Sequence, residues 1–176
     1  LSPRNRAIAD VLNEARLATL LFDLLTPAEY DDQANVFDVD LLQRRLIGAS
    51  AWLRGRDGMA RLPLGYFGAS TGAAAALAAA AEWGEHVGAI VSRGGRPDLA
   101  RDWLGDVDAP TLFVVGGNDP TVLDLNTRAQ REMVCETQLL VVPGAGHLFE
   151  EPGTLDQVAT AARDWVVHHR SEEHTS

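Results

Sequence analysis

The sequence predicts an α/β fold in which a doubly wound, mainly parallel sheet carries helices on both faces. Short apolar runs alternate with longer segments of helical periodicity, which is typical of strand-helix-strand units. The chain has 176 residues, 46% of them hydrophobic, which is enough to bury one substantial core. No internal repeat or low-complexity linker divides it. We therefore expect a single domain.

The elements follow in chain order from apolar runs and from signals that start helices. A first helix begins at Ser2-Pro3, because proline is favoured in the first turn of a helix. Continuous apolar runs predict strands that are buried on both faces of a parallel sheet. These runs are residues 17–25, 62–67, 87–92, 110–115 and 139–142. Further helices are predicted at residues 38–52, 70–83, 122–134 and 154–168, and irregular loops at residues 30–37 and 94–105.

The charge of the chain excludes several classes of function. A formal net charge of -10 argues against binding to nucleic acid or to an anionic membrane surface, because both need clustered positive charge. All fifteen basic residues are arginine, so no lysine can bind phosphate in a P-loop, form a Schiff base or act as a general base. No apolar run reaches the roughly 18 to 20 residues that span a bilayer. We expect a small-molecule partner and a cytoplasmic location.

A motif with chemical meaning lies where a predicted strand meets a predicted helix. The segment Gly68-Ala69-Ser70-Thr71-Gly72 fits G-x-S-x-G, the pattern of a nucleophile elbow. Small neighbours allow a sharp turn that exposes the serine hydroxyl above the sheet, and the Thr71 backbone N–H would face a developing oxyanion. The alternative is that Ser70 only caps the N-terminus of the helix, which is a common use of serine.

Two further polar residues follow predicted strands. Asp119 comes after an apolar run that ends in two glycines, and His147 lies on a glycine-rich turn after the last predicted strand. Taken singly, Asp119 could form an Asx-turn or a helix cap, and His147 could be an inert loop residue. Polar groups after parallel strands collect at one edge of the sheet. The order Ser70, Asp119, His147, each after its own strand, is that of a known type of catalytic triad.

These motifs carry a resemblance to a known family. Residues 65–75, 91–99, 115–119 and 143–153 resemble the dienelactone hydrolase-like branch of the α/β-hydrolase fold. They are more similar still to bacterial hydrolase domains that are sometimes fused to phosphoribosyltransferases. The resemblance runs from Leu1 to about His169. It implies that Ser70 is the nucleophile, that His147 is the general base and then the acid, and that Asp119 orients the imidazole.

The expected activity is hydrolysis of a small ester or related acyl substrate through an acyl-enzyme, with no metal and no organic cofactor. The named dienelactone hydrolases use a cysteine nucleophile, whereas this elbow carries Ser70, so ester hydrolysis is expected rather than lactone specificity. The alternative is a noncatalytic hydrolase-like domain that binds or regulates a partner, including a phosphoribosyltransferase domain fused upstream. A nucleotide-binding domain is disfavoured, because the glycine spacing fits neither of the usual phosphate-binding loops.

Three residues are candidates for binding substrate. Arg93 and Arg96 follow the strand after the elbow, and guanidinium groups pair well with carboxylate or phosphate. A structural ion pair is the alternative for both. Phe149 follows His147 and could shape the pocket, but an ordinary loop contact is the favoured explanation.

The two ends of the chain also carry predictions. A predicted helix follows Leu1 almost at once, so we expect residues 1–169 to be a fragment of the hydrolase domain that lacks its first strands and the loop with the second oxyanion-binding N–H. Residues 170–176 resemble a translated sequencing adapter and are expected to be a non-native tail.

Overall fold

The computed structural model describes residues 1–170 and has one sheet within them. All neighbouring strands pair in parallel, and their order in the sheet is the same as their order in the chain. The strands are β1 (Leu64–Ala69), β2 (Val87–Arg93), β3 (Thr111–Gly116) and β4 (Thr137–Val142). Because they run in one direction, all four end at the same edge of the sheet.

Helices cover both faces of this sheet. The helices are α1 (Pro3–Glu14), α2 (Pro27–Tyr30), α3 (Gln33–Val36), α4 (Val39–Arg54), α5 (Thr71–Trp83), α6 (Pro120–Glu132) and α7 (Thr154–Arg170). Helices α4, α5 and α6 contribute to the core on one face, and α1 and α7 contribute to the core on the other. Two 3₁₀ segments, Gly84–His86 and Pro97–Asp106, precede and follow β2. The arrangement confirms the predicted doubly wound architecture.

The sheet is buried on both faces because alternate residues of each strand enter different cores. Ile90 and Phe113 pack towards α4, α5 and α6, whereas Val91 and Val114 pack towards α1 and α7. All four side chains are fully buried. Successive side chains of a strand point to opposite faces, so a strand buried on both sides is apolar throughout. This is why continuous apolar runs predicted β2 and β3.

Helix α5 is the central support of the site that follows β1. Eight consecutive residues, 73–80, are at most 1% exposed, and all but Leu77 are alanine. A helix that is apolar all round is buried all round, and small side chains let its neighbours approach closely. Its N-terminus is thereby held at the carboxyl end of β1, directly after Ser70.

The strand predicted at residues 17–25 is wrong. The segment has no regular structure and pairs with none of the four strands. Leu20 and Phe22 are 44% and 39% exposed. Apolar content predicted a strand, but a strand needs a neighbour that accepts and donates its backbone hydrogen bonds, and the described residues supply none here.

The two predicted loops also contain helical turns. Residues 30–37 include α3 and the end of α2, whose N-terminus is capped by a reciprocal pair of hydrogen bonds between Thr26 and Glu29. Residues 94–105 are largely the 3₁₀ segment, which has a proline in its first turn. Capping side chains and a first-turn proline stabilise these short helical segments. The segments carry no apolar periodicity, so the sequence pattern did not predict them.

The expected tail lies almost wholly outside the described residues. Arg170 is the last residue of α7, and residues 171–176 are not described. No helix within residues 1–170 combines the length and the apolar character needed to cross a membrane.

Candidate active site

Ser70 occupies a strained turn between β1 and α5. Its φ is 53° and its ψ is -122°, a left-handed conformation that costs a residue with a side chain about 1 to 3 kcal/mol. Three backbone hydrogen bonds hold it. The Ser70 N–H donates to the carbonyl of Arg93 (3.3 Å), and the Ser70 carbonyl accepts from the N–H groups of Arg96 (3.1 Å) and Ala73 (3.2 Å).

The hydroxyl of Ser70 is not used to cap the helix. Ser70 stands at the N-cap position of α5, yet its side chain makes no capping hydrogen bond. The capping explanation for this serine therefore fails. The Thr71 N–H belongs to the first turn of α5, whose N–H groups lack acceptors within the helix.

Gly68 makes the tight turn sterically feasible. A Cβ at this position would lie 2.5 Å from the carbonyl oxygen of Gly72 and 2.7 Å from the N and Cα atoms of Ala73. All three are backbone atoms, which cannot move aside without moving α5. A Cβ at Gly72 would meet no atom within 4 Å, so the two glycines of the motif are not equivalent.

Asp119 and His147 form a direct pair at the same edge of the sheet. The Nδ1 atom of His147 lies 2.7 Å from Oδ2 of Asp119. Asp119 is at the N-cap position of α6 but makes no capping hydrogen bond with its side chain. The Asp119 side chain is 14% exposed and that of His147 41% exposed. The carboxylate is thus committed to one ring nitrogen, and Nε2 faces away from it.

The loops that carry this pair are joined by backbone hydrogen bonds. The Gly117 N–H donates to the Val142 carbonyl (2.8 Å), and the Asn118 N–H donates to the Ala145 carbonyl (2.9 Å). A Cβ at Gly116 would collide with the carbonyl group of Ala145. Close approach of the two loops therefore requires glycine at the end of β3.

Gly94 connects the serine to the imidazole. It follows Arg93, whose carbonyl binds the Ser70 N–H, and its Cα faces the His147 ring. A Cβ on Gly94 would lie 3.4 Å from Cε1 and Nδ1 of His147. Within residues 1–170, no hydrogen bond joins the Ser70 hydroxyl to His147. In sites without a bound ligand such bonds are often long and shorten only when substrate binds.

The three candidate substrate-binding residues have separate environments. Arg96 forms a bidentate ion pair with Asp98, with N–O distances of 2.9 and 2.8 Å, which is the structural alternative considered for it. Phe149 is 2% exposed and packs in the core between the sheet, α1 and α7. Arg93 is 8% exposed and has no carboxylate partner among the described residues. Burial, followed by repulsion from Arg4, lowers its pKa to about 10.

Comparison with solved structures identifies the family. The chain is 50% identical to the dienelactone hydrolase from Anabaena variabilis, with a TM-score of 0.90 over 96% of this chain and 80% of that one. The chain belongs to the dienelactone hydrolase-like family of α/β-hydrolases. Est1E from Butyrivibrio proteoclasticus, solved with ferulic acid bound, shares the fold of this dienelactone hydrolase-like chain. Its TM-score is 0.82 at 15% identity, over 97% of this chain and 84% of that one.

Curated relatives of the dienelactone hydrolase-like chain are much longer. Two proteins of Mycobacterium tuberculosis, from strains CDC 1551 / Oshkosh and ATCC 25618 / H37Rv, are each 61% identical over 168 residues. Both are provisionally named phosphoribosyl transferases. The chain spans 38% of their length, and the match covers 96% of the chain. No protein-family model matches the chain.

Three groups around the site of this dienelactone hydrolase-like chain have contacts or effects that were not predicted from the sequence. Gly94 has a φ of 51°, and the Gly-Gly pair after β2 was the available signal. Glu151 accepts a hydrogen bond from the Gly146 N–H (3.0 Å) and braces the turn before His147. The charge of Arg4, in the first turn of α1, contributes to the lowered pKa of Arg93, and no short motif indicates an effect from so far along the chain. Among residues 1–170, no cluster of three or more His, Cys, Asp or Glu side chains could hold a metal ion.

Proposed function

We propose that this chain is a serine hydrolase domain that cleaves a small ester or related acyl substrate. The observation that carries the proposal is the imidazole of His147, held by Asp119 at 2.7 Å, at the same sheet edge as a serine in a strained turn. A strained residue persists only where the surrounding structure enforces it, and such residues cluster at active sites. Membership of a hydrolase family supports the same reaction class.

In the first half-reaction, the Ser70 hydroxyl gives its proton to Nε2 of His147 as Oγ forms a bond to the ester carbonyl carbon. The carbonyl electron pair moves onto oxygen and makes a tetrahedral oxyanion. When that pair returns, the ester C–O bond breaks, and His147 gives its proton to the departing alkoxide. The products are an alcohol and acyl-Ser70. Asp119 stabilises the imidazolium formed in between.

In the second half-reaction, water gives a proton to His147 as its oxygen attacks the acyl carbon. Collapse of the second oxyanion breaks the bond to Ser70, whose Oγ recovers the proton from His147. The net change is ester plus water to acid plus alcohol. The Thr71 N–H would stabilise each oxyanion. A second N–H donor would come from a segment upstream of Leu1, as in related hydrolases where it lies before the first helix.

The second candidate is a noncatalytic domain that binds or regulates a phosphoribosyltransferase domain of the same polypeptide. It is favoured by the longer relatives, whose name refers to that activity and of which this chain covers 38%. A fold and a set of triad-like residues do not guarantee turnover. The two candidates differ in whether Ser70 is an activated nucleophile.

Covalent labelling with a fluorophosphonate probe tests the proposal. Both the 176-residue chain and the full-length protein that contains it should be treated, and the labelled residue mapped by peptide mass spectrometry. We expect labelling at Ser70 that Ser70→Ala and His147→Ala both abolish. A folded full-length protein whose Ser70 stays unlabelled would contradict the hydrolase proposal and favour the noncatalytic domain.

A further inference from the structure

Arg93 carries a buried positive charge that the described residues do not neutralise. Its side chain is 8% exposed, and the Nη1 atom is buried without a hydrogen-bond partner. Its guanidinium carbon lies 6.0 Å from the centre of the Phe67 ring, which is a weak contact for a cation. A buried charge is costly unless it is paired, so this environment is suited to an anion.

A second guanidinium belongs to the same part of the fold. The Phe67 ring, whose centre is 6.0 Å from the Arg93 guanidinium carbon, packs against the core to which α1 contributes Ile8 and Leu12. Arg4 is in the first turn of α1, and repulsion from its charge is the second cause, after burial, of the lowered Arg93 pKa. The Nε atom of Arg4 is also buried without a partner. The remaining charge contact of Arg4 is with Glu150, at 3.6 Å, and the Glu150 side chain is 67% exposed. One solvated carboxylate does not compensate two guanidinium groups.

The N-terminus of α1 adds to this positive field. The helix has twelve residues, no side-chain cap at Ser2 and no acidic residue in its first turn. The first N–H groups of a helix and its dipole together favour an anion at this end, and Arg4 stands in that same turn. Two guanidinium groups and a helix N-terminus provide more positive charge than a single carboxylate would neutralise.

The position of Arg93 ties this field to the proposed chemistry. Ala69 pairs with Arg93 across β1 and β2, and the Arg93 carbonyl binds the N–H of Ser70. A Cβ on the next residue, Gly94, would lie 3.4 Å from the His147 ring. An anion held by Arg93 would therefore belong to a molecule that also reaches Ser70.

We infer that Arg93, Arg4 and the N-terminus of α1 form a subsite for a phosphate or phosphonate group on the substrate. This inference rests on the proposed function, because it names the class of ester that Ser70 cleaves. A dianionic phosphate matches the two guanidinium groups and the helix N-terminus better than a singly charged carboxylate, and its oxygens accept paired hydrogen bonds from a guanidinium fork.

Equilibrium binding separates the subsite from the chemistry. Inorganic phosphate is titrated into full-length Ser70→Ala protein at constant ionic strength, and binding is followed by thermal shift. Succinate and chloride are titrated in the same way as comparison anions. We expect saturable stabilisation by phosphate. Phosphate binding should weaken at least about tenfold when Arg93→Met is added, because the charge-assisted hydrogen bond is lost. Arg93→Lys keeps the charge and should weaken binding less. Arg101→Met is the matched control, because Arg101 is 75% exposed and pairs with Glu132.

Each other outcome overturns the inference. Equal stabilisation of the Arg93→Met and Arg101→Met proteins by phosphate would place the anion elsewhere, and stronger binding of succinate than of phosphate would assign the site to a carboxylate. An anion site also predicts that Arg93→Met makes the phosphate-free protein no less stable, because an uncompensated charge is removed. Marked destabilisation without any phosphate response would mean that another part of the protein pairs with Arg93. Labelling of Ser70 in the parent protein is scored independently, so failure of the subsite and failure of the hydrolase proposal are distinguishable.

Discussion

His147 Nδ1 lies 2.7 Å from Asp119 Oδ2, although the two residues are 28 positions apart in the chain. They come from loops after different strands, and two backbone hydrogen bonds between those loops hold them together. An ionised carboxylate can only accept a hydrogen bond, so the hydrogen of this pair is on Nδ1, and in the neutral imidazole the Nε2 lone pair is then free to receive a proton. The pair therefore has the orientation that a general base requires.

Replacing Asp119 by asparagine tests this orientation. We expect Asp119→Asn to slow labelling of Ser70 by about 10³- to 10⁴-fold, because an amide can favour the wrong tautomer of the imidazole and cannot stabilise the imidazolium. Asp124→Asn is the control, since Asp124 is an exposed carboxylate on α6 that pairs with Arg128. Wild-type labelling rates in Asp119→Asn would show that the pair has no part in activating the serine.

The two glycines of the elbow should respond differently to alanine. Gly68→Ala places a methyl group 2.5 to 2.7 Å from backbone atoms of α5, so we expect about 1 to 3 kcal/mol of destabilisation or a failure to fold. Gly72→Ala meets open space and gains up to about 1 kcal/mol of helix propensity. Urea denaturation of both variants provides the comparison, and equal losses of stability would contradict the geometry of the turn.

Glycine should be required at position 94 for two reasons. The backbone has a positive φ there, and a side chain would press on the ring of His147. Gly94 and Gly58 both have a positive φ, 51° and 79°, so alanine strains either backbone by about 1 to 3 kcal/mol. The imidazole lies close to a Cβ at Gly94 alone. We expect Gly94→Ala to lower the rate of Ser70 labelling beyond the effect of Gly58→Ala at matched stability. Indistinguishable rates would mean that the contact with the ring is unimportant.

The ion pair between Glu29 and Arg45 predicts a dependence of stability on pH. Two N–O distances of 2.6 Å join the groups, and the hydrogen bonds from Arg45, then from the Thr26 backbone, lower the Glu29 pKa from 4.5 to about 2. A lowered folded-state pKa stabilises the protein above the unfolded value, and the contribution is lost as the pH falls from about 4.5 through about 2.

The measurement is the free energy of unfolding of Glu29→Gln relative to wild type. Glutamine can still form the capping interaction with Thr26, but its NH2 group cannot accept from Arg45, so the comparison removes the charge together with the bidentate pair. We expect the difference to be full at pH 7 and to shrink below about pH 4.5. Glu14→Gln, at an exposed position of α1, serves as the reference. A difference that stays constant down to pH 2 would show that the charge of Glu29 contributes nothing.

The sequence predicted the elements whose own apolar pattern determines their structure. It did not predict the segments whose structure depends on contacts with residues elsewhere in the chain. Strands β2 and β3 are buried on both faces, so their composition alone identified them. Residues 17–25 have the same apolar character, but no neighbouring strand among the described residues, and the segment is irregular. Helices α2 and α3 are too short for a periodic signal and depend on capping side chains.

The candidate site shows the same division. The location of Ser70, Asp119 and His147 at one edge of the sheet was predictable, because each follows a strand and parallel strands end at the same edge. The environment of the arginines was not predictable. Asp98, two residues from Arg96, forms its ion pair, whereas the pKa of Arg93 is affected by the charge of Arg4 in the first helix. An ion-pair partner a few residues away can be predicted from the sequence, whereas a charge that is distant in the chain cannot. The cytoplasmic location and the non-native tail stay predictions.

The parallel sheet described above also determines how the protein acquires its site. Each strand pair is closed by a crossover of more than ten residues, so no strand can find its neighbour through a simple hairpin. Strand pairing therefore depends on contacts between positions far apart in the chain, and such contacts slow folding. Ser70 follows β1 and His147 comes after β4, which are the two outer strands of the sheet within residues 1–170. Since the proposed mechanism needs His147 to activate Ser70, reactivity of Ser70 during refolding would appear only once β4 has docked.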